Sequence, residues 1–168
     1  MCPSAEGTTM ATTKKKAPAR KPQDAIALLK EDHEKVRGLL ESLEKASGAR
    51  RQNLLARIGQ ELKVHTTIEE EIFYPAFREA AKKKDDQVMV YEAVHEHHMV
   101  DVALPEAGDG ENNEELKAKA KVLKELVEHH ADEEEDEMFP RARKVFDREE
   151  LRNLGERMAA RKKELMGR

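Results

Sequence analysis

The chain has 168 residues and a formal net charge of −4, with 39% charged and 4% aromatic side chains and no tryptophan. That is one domain's length with a modest core, and its Glu, Lys, Arg, Ala and Leu lose little rotamer freedom in helices, so an all-α protein is expected. No apolar run approaches the ~20 residues that span a bilayer, no apolar leader opens the chain and a lone Cys2 staples nothing, so membrane and disulfide-scaffold classes are excluded and a cytoplasmic location is expected.

Residues 1–23 set Lys14, Lys15, Lys16, Arg20 and Lys21 against Glu6 alone and read as a flexible basic tail. Such a tail can touch nucleic acid or anionic lipid, but the body behind it is acidic, so no nucleic-acid partner is expected and a solvated leader is the simpler reading.

From Asp24, a natural N-cap, Ile26, Leu29, Val36, Leu40 and Leu43 recur at helical spacing, and Gly48 offers a stop. A second periodic stretch runs through Leu54, Leu55, Ile58, Leu62, Ile68 and Ile72 and is expected to end near Pro75. A third covers Val88 to about Leu104, before Pro105 and a Gly-Asp-Gly break. The fourth uses Leu116, Leu123, Leu126, Val127 and Met138 and is expected to end near Pro140. A fifth starts at the N-cap Asp147, with acids in its first turn and basic residues near its end. Four helices with short connections predict an up-down-up-down four-helix bundle over 24–146, followed by an extra C-terminal helix over 147–168.

The chain also repeats itself. A shift of 65 places lays Ile58 on Leu123, Leu62 on Val127, His65 on His130, Glu69 on Glu134 and Pro75 on Pro140. A shift of 64 lays the stretch Asp32-His33 through Leu40 on Glu96-His97 through Leu104. The bundle therefore reads as two duplicated helix pairs, each carrying a histidine and then His-x-x-x-Glu.

Positions four apart share a helix face, so His65 points with Glu69 and His130 with Glu134. These residues interrupt the apolar stripes: His65 follows Leu62 by three, His130 follows Val127 by three, His33 follows Leu29 by four, and His97 follows Val94 by three. Imidazoles and carboxylates left unpaired in a small core are very unfavourable, and divalent cations resolve that by neutralising the carboxylates and taking the imidazole lone pairs. Nitrogen-rich ligation with carboxylates suits iron, zinc or manganese better than copper(I), since no thiolate or thioether pattern accompanies it. An isolated His-x-x-x-Glu is common in Glu-rich helices. Two of them with matched proline and apolar frames, plus two aligned histidines, point to metal. Glu70, Glu71, Glu133, Glu135, Asp136 and Glu137 read as a solvated acidic face.

At these residues the sequence resembles the hemerythrin-like, or HHE cation-binding, family, with its pattern H…HxxxE…H…HxxxE on a four-helix bundle. The resemblance covers about residues 24–146 and includes the stretches EEEIFYP and EEEDEMFP. Position by position it implies metal ligands at His33, His65, Glu69, His97, His130 and Glu134. It further implies two iron ions per chain, bridged by the carboxylates and an oxo or hydroxo group, with zinc or manganese less favoured. The third histidine has alternatives: an acid before and a valine three after select His97, a strict 65-residue offset from His33 selects His98, and His95 lies close by. For the last pair, the proline and glutamate spacing selects His130 over His129.

The oxygen-carrying members use five histidines and an aspartate five places after the last one. Here there are four firm histidines and a glutamate at four. Tyr74 and Tyr91 read as packing residues or neighbours of the ligands. A carboxylate-richer site favours chemistry with small oxidants (hydrogen peroxide, O2 or nitric oxide), of a catalase-like or related oxidoreductase kind, with any electron donor unspecified. The alternatives are an oxygen- or iron-binding, sensing or buffering module without turnover, and a structural bundle with zinc or no metal. The sequence leaves the oligomeric state open.

Overall fold

The computed structural model describes residues 23–167; the basic tail before them, with Cys2, lies outside the described residues. All regular structure among the described residues is helical: α1 (Ala25–Glu44), α2 (Gly48–Ile68), α3 (Tyr74–Ala80), α4 (Lys84–Glu106), α5 (Asn113–Glu133), α6 (Phe139–Val145) and α7 (Arg148–Met166).

Local chemistry sets the helix starts. The Asp24 carboxylate accepts from the Ala27 amide at α1, and Asn112 accepts from Glu115 at α5. At α7 Asp147 and Glu150 form a reciprocal capping box. Gly48 does not end α1, which stops at Glu44; it opens α2 with φ +53°, a left-handed conformation that glycine adopts without a Cβ penalty.

Neither proline ends its helix. Between α2 and α3 the chain passes through a π-turn (Glu69–Phe73), and between α5 and α6 through a second (Glu134–Met138). In each, the residue five after the glutamate donates its amide to that glutamate's carbonyl, Tyr74 to Glu69 and Phe139 to Glu134. Proline lacks an amide and its ring crowds the carbonyl four residues back, here Glu71 and Asp136. Both carbonyls fall inside the wider π-turn, so the helical path continues through Pro75 and Pro140 to Ala80 and Val145. The extra residue also turns the following segment, which buries Phe73, Tyr74 and Phe77 in one half and Met138 and Phe139 in the other.

The four long helices close a ring: α1 packs on α2 and α5, and α4 packs on α5 and α2. The interior is two apolar clusters. One gathers Ile26, Leu29, Ile68, Phe73, Phe77 and Phe139, the other Val36, Leu40, Ile58, Leu62, Leu123 and Val127. Buried histidines and glutamates form the layer between them. Helix α7 joins the first cluster through Leu151, Leu154 and Met158 and lies against α1 and α2. Its close approach rests on Gly155, where a Cβ would run into the Gln23 carbonyl and lie 2.8 Å from the Ala25 nitrogen. At the far end the buried Arg51 donates to the carbonyls of Ala46, Ala107 and Leu116, tying both interhelical connections to α2.

Candidate metal centre

His33 on α1, His65 on α2, His97 on α4 and His130 on α5 are all buried, and each turns its Nε2 toward the bundle axis. Nε2 of His33 lies 3.1 Å from Nε2 of His65, and Nε2 of His97 lies 3.1 Å from Nε2 of His130. Glu69 and Glu134, from the first residue of each π-turn, sit between these pairs with 0% and 2% exposure. Glu69 reaches His65 through Oε1 at 3.1 Å and His97 through Oε2 at 3.3 Å. Glu134 Oε2 lies 3.2 Å from His33 and 3.8 Å from His130. Each carboxylate thus spans one histidine of its own half and one of the other.

Behind each imidazole stands a further carboxylate. Nδ1 of His33 donates to Glu135 at 2.9 Å, His97 to Glu70 at 2.8 Å and His130 to Glu96 at 2.8 Å, while Asp32 lies 3.7 Å from Nδ1 of His65. The pattern follows the repeat. The acid before the first histidine of each half (Asp32, Glu96) backs that half's second histidine. The acid after each buried glutamate (Glu70, Glu135) backs the first histidine of the other half. Since an ionised carboxylate only accepts, Nδ1 of His33, His97 and His130 holds a proton, which leaves the Nε2 of each ring to face the bundle axis. Apart from each other, the paired Nε2 atoms face the two glutamates, and His65 Nδ1 is buried without a hydrogen bond. Both Glu69 oxygens and Glu134 Oε2 are likewise buried without a hydrogen bond. A cation beside each histidine pair would satisfy the Nε2 atoms and these oxygens, so the donor set fits metal.

The electrostatics agree. Burial opposes charging His65, yet the negative charge of Glu69 and the close approach of the Asp32 and Glu69 carboxylates overcome it and push its pKa up to about 10. Burial would raise the Glu69 carboxyl, but His65 and His97 hold it well below the usual carboxylate range. The centre draws positive charge into the core, whether as protons or as metal. Its ligand atoms form two groups, His33, His65, Glu69 and Glu134, and Glu69, His97 and His130, each with all atoms within 4.8 Å of one another.

Tyr74 lies over His97 at 5.7 Å between ring centroids and donates its hydroxyl to Glu134 Oε1 at 3.0 Å. Burial first, then the charges of Glu134 and Glu69, push its phenol well above the ordinary range, so the proton stays on. Phe139 stacks on His33 at 5.9 Å in the corresponding place.

Of the residues singled out from the sequence, His33, His65, Glu69, His97, His130 and Glu134 come together. His98 and His95 do not: both are exposed, since one step along a helix turns His98 by about 100°, and two steps turn His95 by about 200°, away from the inward face held by His97. His129 is exposed too, and meets Glu133 at 3.3 Å and Glu96 at 3.5 Å on the surface. The acidic stretches are not a uniform solvated face. Glu70 and Glu135 bond buried histidines, and the available signal was their place directly after the two motif glutamates. Asp32 is buried and takes Lys162 of α7 as a partner, which the sequence did not suggest.

No helix among the described residues is long and apolar enough to cross a membrane. No solved structure matches the chain. Among curated proteins it is similar to the uncharacterized protein Rv2633c of Mycobacterium tuberculosis strain H37Rv, at 29% identity over 147 residues covering 86% of this chain and 88% of the relative. The uncharacterized protein Mb2666c of Mycobacterium bovis matches to the same extent. Residues 24–142 match the family described as the hemerythrin HHE cation binding domain, and they hold all four converging histidines and both buried glutamates. The chain therefore belongs to the hemerythrin HHE cation-binding family.

Proposed function

We propose that His33, His65, His97, His130, Glu69 and Glu134 would hold two iron ions, and that this centre handles small oxidants, hydrogen peroxide first among them. The observation carrying this reading is the paired Nε2 atoms facing wholly buried carboxylates without hydrogen bonds, which need cations of matching charge. Iron would supply the electron exchange that side chains cannot. Peroxide disproportionation, two H2O2 giving two H2O and O2, needs no external electron donor, whereas nitric oxide reduction would need one.

The chain's own residues contribute position, access and hydrogen bonding. Glu70, Glu96 and Glu135 fix the tautomer and ring angle of three histidines. A cavity of about 20 Å3 lies beside the histidines, walled on its other side by Val36, Leu62, Val100 and Val127. That is room for about one water-sized molecule, which suits peroxide or a diatomic and excludes larger substrates. The Tyr74 hydroxyl supplies a fixed hydrogen-bond donor at the Glu134 side.

Metal analysis with the near-ultraviolet to visible spectrum, recorded before and after peroxide, tests the reading. About two irons per chain, with charge-transfer bands that change as O2 is released, support it. Stable iron with no oxygen release would leave a binding or sensing module. Zinc, or no metal after anaerobic iron loading, would overturn it. His65→Ala and Glu134→Ala should each lower iron content and the iron-loaded Tm together, because a ligand bound only to the folded state stabilises it.

A further inference from the structure

Helix α4 faces the core with Val90, Ala93, His97 and Val100. Its opposite side is not polar. Val88, Tyr91 and Met99 are each 52% exposed and Val102 is 48% exposed. Together with Val94 they are five of the eight exposed large hydrophobics among the described residues, all on one 23-residue helix. At about 100° per residue, Val88, Tyr91, His95, Met99 and Val102 fall on a single stripe with His98 at its margin. Solvated helices seldom carry such a stripe without a partner.

The stripe reads the same in both directions. About a twofold axis at His95, antiparallel apposition with an identical helix puts Val88 against Val102 of the second copy, Tyr91 against Met99, Glu92 against His98 and Lys84 against Glu106. Each of these meetings also occurs in reverse. Every pairing is apolar with apolar, thioether with aromatic ring, or acid with base. None sets like charges of fixed sign against each other. An isologous interface requires this self-complementarity, and an unrelated partner gives no reason for it. The Tyr91 ring is already anchored, with Arg78 donating to its hydroxyl at 2.9 Å and the guanidinium carbon 4.8 Å from its centroid. A pre-ordered aromatic of this kind is the usual energetic centre of an interface.

We propose that the outer face of α4 is a homodimer interface, with two copies packed antiparallel about a twofold axis at His95. This assigns a place to His95 and His98, the two histidines of the HEHH stretch that stay outside the metal centre. It also sets the interface on the helix that carries His97 and Glu96, and the inference does not depend on which metal is bound.

Sedimentation velocity of the full chain across the micromolar range, with metal as purified, provides the test. The native chain should sediment as a dimer, and Met99→Glu, which places a carboxylate against Tyr91 of the second copy twice per dimer, should weaken association about tenfold or more. Far-ultraviolet circular dichroism of that variant should be unchanged, because the side chain is exposed. As a geometric check, His95→Cys in a Cys2→Ser background should form an intermolecular disulfide under mild oxidation, since identical residues on the axis approach closely. Lys121→Cys on α5, in the same background, should not. A native chain that stays monomeric throughout the range would overturn the proposal. So would a dimer that survives Met99→Glu and fails to cross-link through position 95.

Discussion

The Tyr74 hydroxyl donates to Glu134 Oε1 across 3.0 Å, and the residue that the internal repeat puts in Tyr74's place, Phe139, has no hydroxyl to donate to Glu69. The consequence is visible in the carboxylates. Glu69 gives one oxygen to each of its two histidines, while Glu134 faces both of its histidines through Oε2 alone. A nearly twofold centre is made unequal by a single oxygen atom.

Tyr74→Phe should therefore leave the fold intact and make the two halves alike. In the iron-loaded native chain, Mössbauer spectra are expected to show two unequal iron environments that converge in the variant. An unchanged pair of environments would remove Tyr74 as the source of the asymmetry. In the metal-free chain the same change leaves a buried carboxylate oxygen without its donor, so stability should fall by about 1–3 kcal/mol in urea titrations.

The carboxylates behind the histidines make a second prediction. Glu70→Ala and Glu135→Ala touch none of the inward-facing atoms, yet each releases a buried imidazole from its fixed orientation. Metal affinity measured by chelator competition should drop about 10–100-fold in each. Glu71→Ala, whose carboxylate pairs instead with Arg161 of α7, should leave affinity where it was.

Acid should expose Glu135 in a different way. Burial would raise its pKa, but hydrogen bonds from His33, Lys30 and Arg37 outweigh that and bring it down to about 2. The folded value lies below the unfolded one of about 4.3. The stabilisation is therefore complete above about pH 4.3 and lost as pH falls toward 2. In metal-free protein, Glu135→Gln should flatten the pH dependence of unfolding free energy within that window and leave the slope above pH 5 unchanged. A slope equal to the native one between pH 4 and 2 would refute the assignment.

Gly155 offers a test of how α7 is held. Its Cα–H faces the backbone of residues 23–25, where an added methyl meets main-chain atoms that cannot rotate away. Gly155→Ala improves helix propensity by about 1 kcal/mol. The expected result is nevertheless a loss of about 1–3 kcal/mol from overpacking, read as a Tm lower by several degrees. A higher Tm would mean that α7 sits less closely on the start of α1.

The sequence alone determined the helical class, the five helical periods, the internal repeat and five of the six inward-facing residues, His33, His65, Glu69, His130 and Glu134, because all of these rest on spacing along single helices. A period of 3.6 places His65 with Glu69 and Leu62 without any knowledge of neighbours. The continuation of helices past Pro75 and Pro140 was not legible, since the proline rule assumes an α-helical register and the π-turns supply another. Glu70 and Glu135 looked like solvent-facing acids because each lies about 100° round from a buried glutamate. Only the packing of α4 and α1 across from them puts an imidazole Nδ1 within hydrogen-bond distance. The choice between His97 and His98 had the same character. Counting residues across connections gave one answer and the local helix frame another, and burial depends on which face meets the other three helices. Spacing along a helix is a property of the chain, whereas the partner of an outward-leaning side chain belongs to the helix packed beside it.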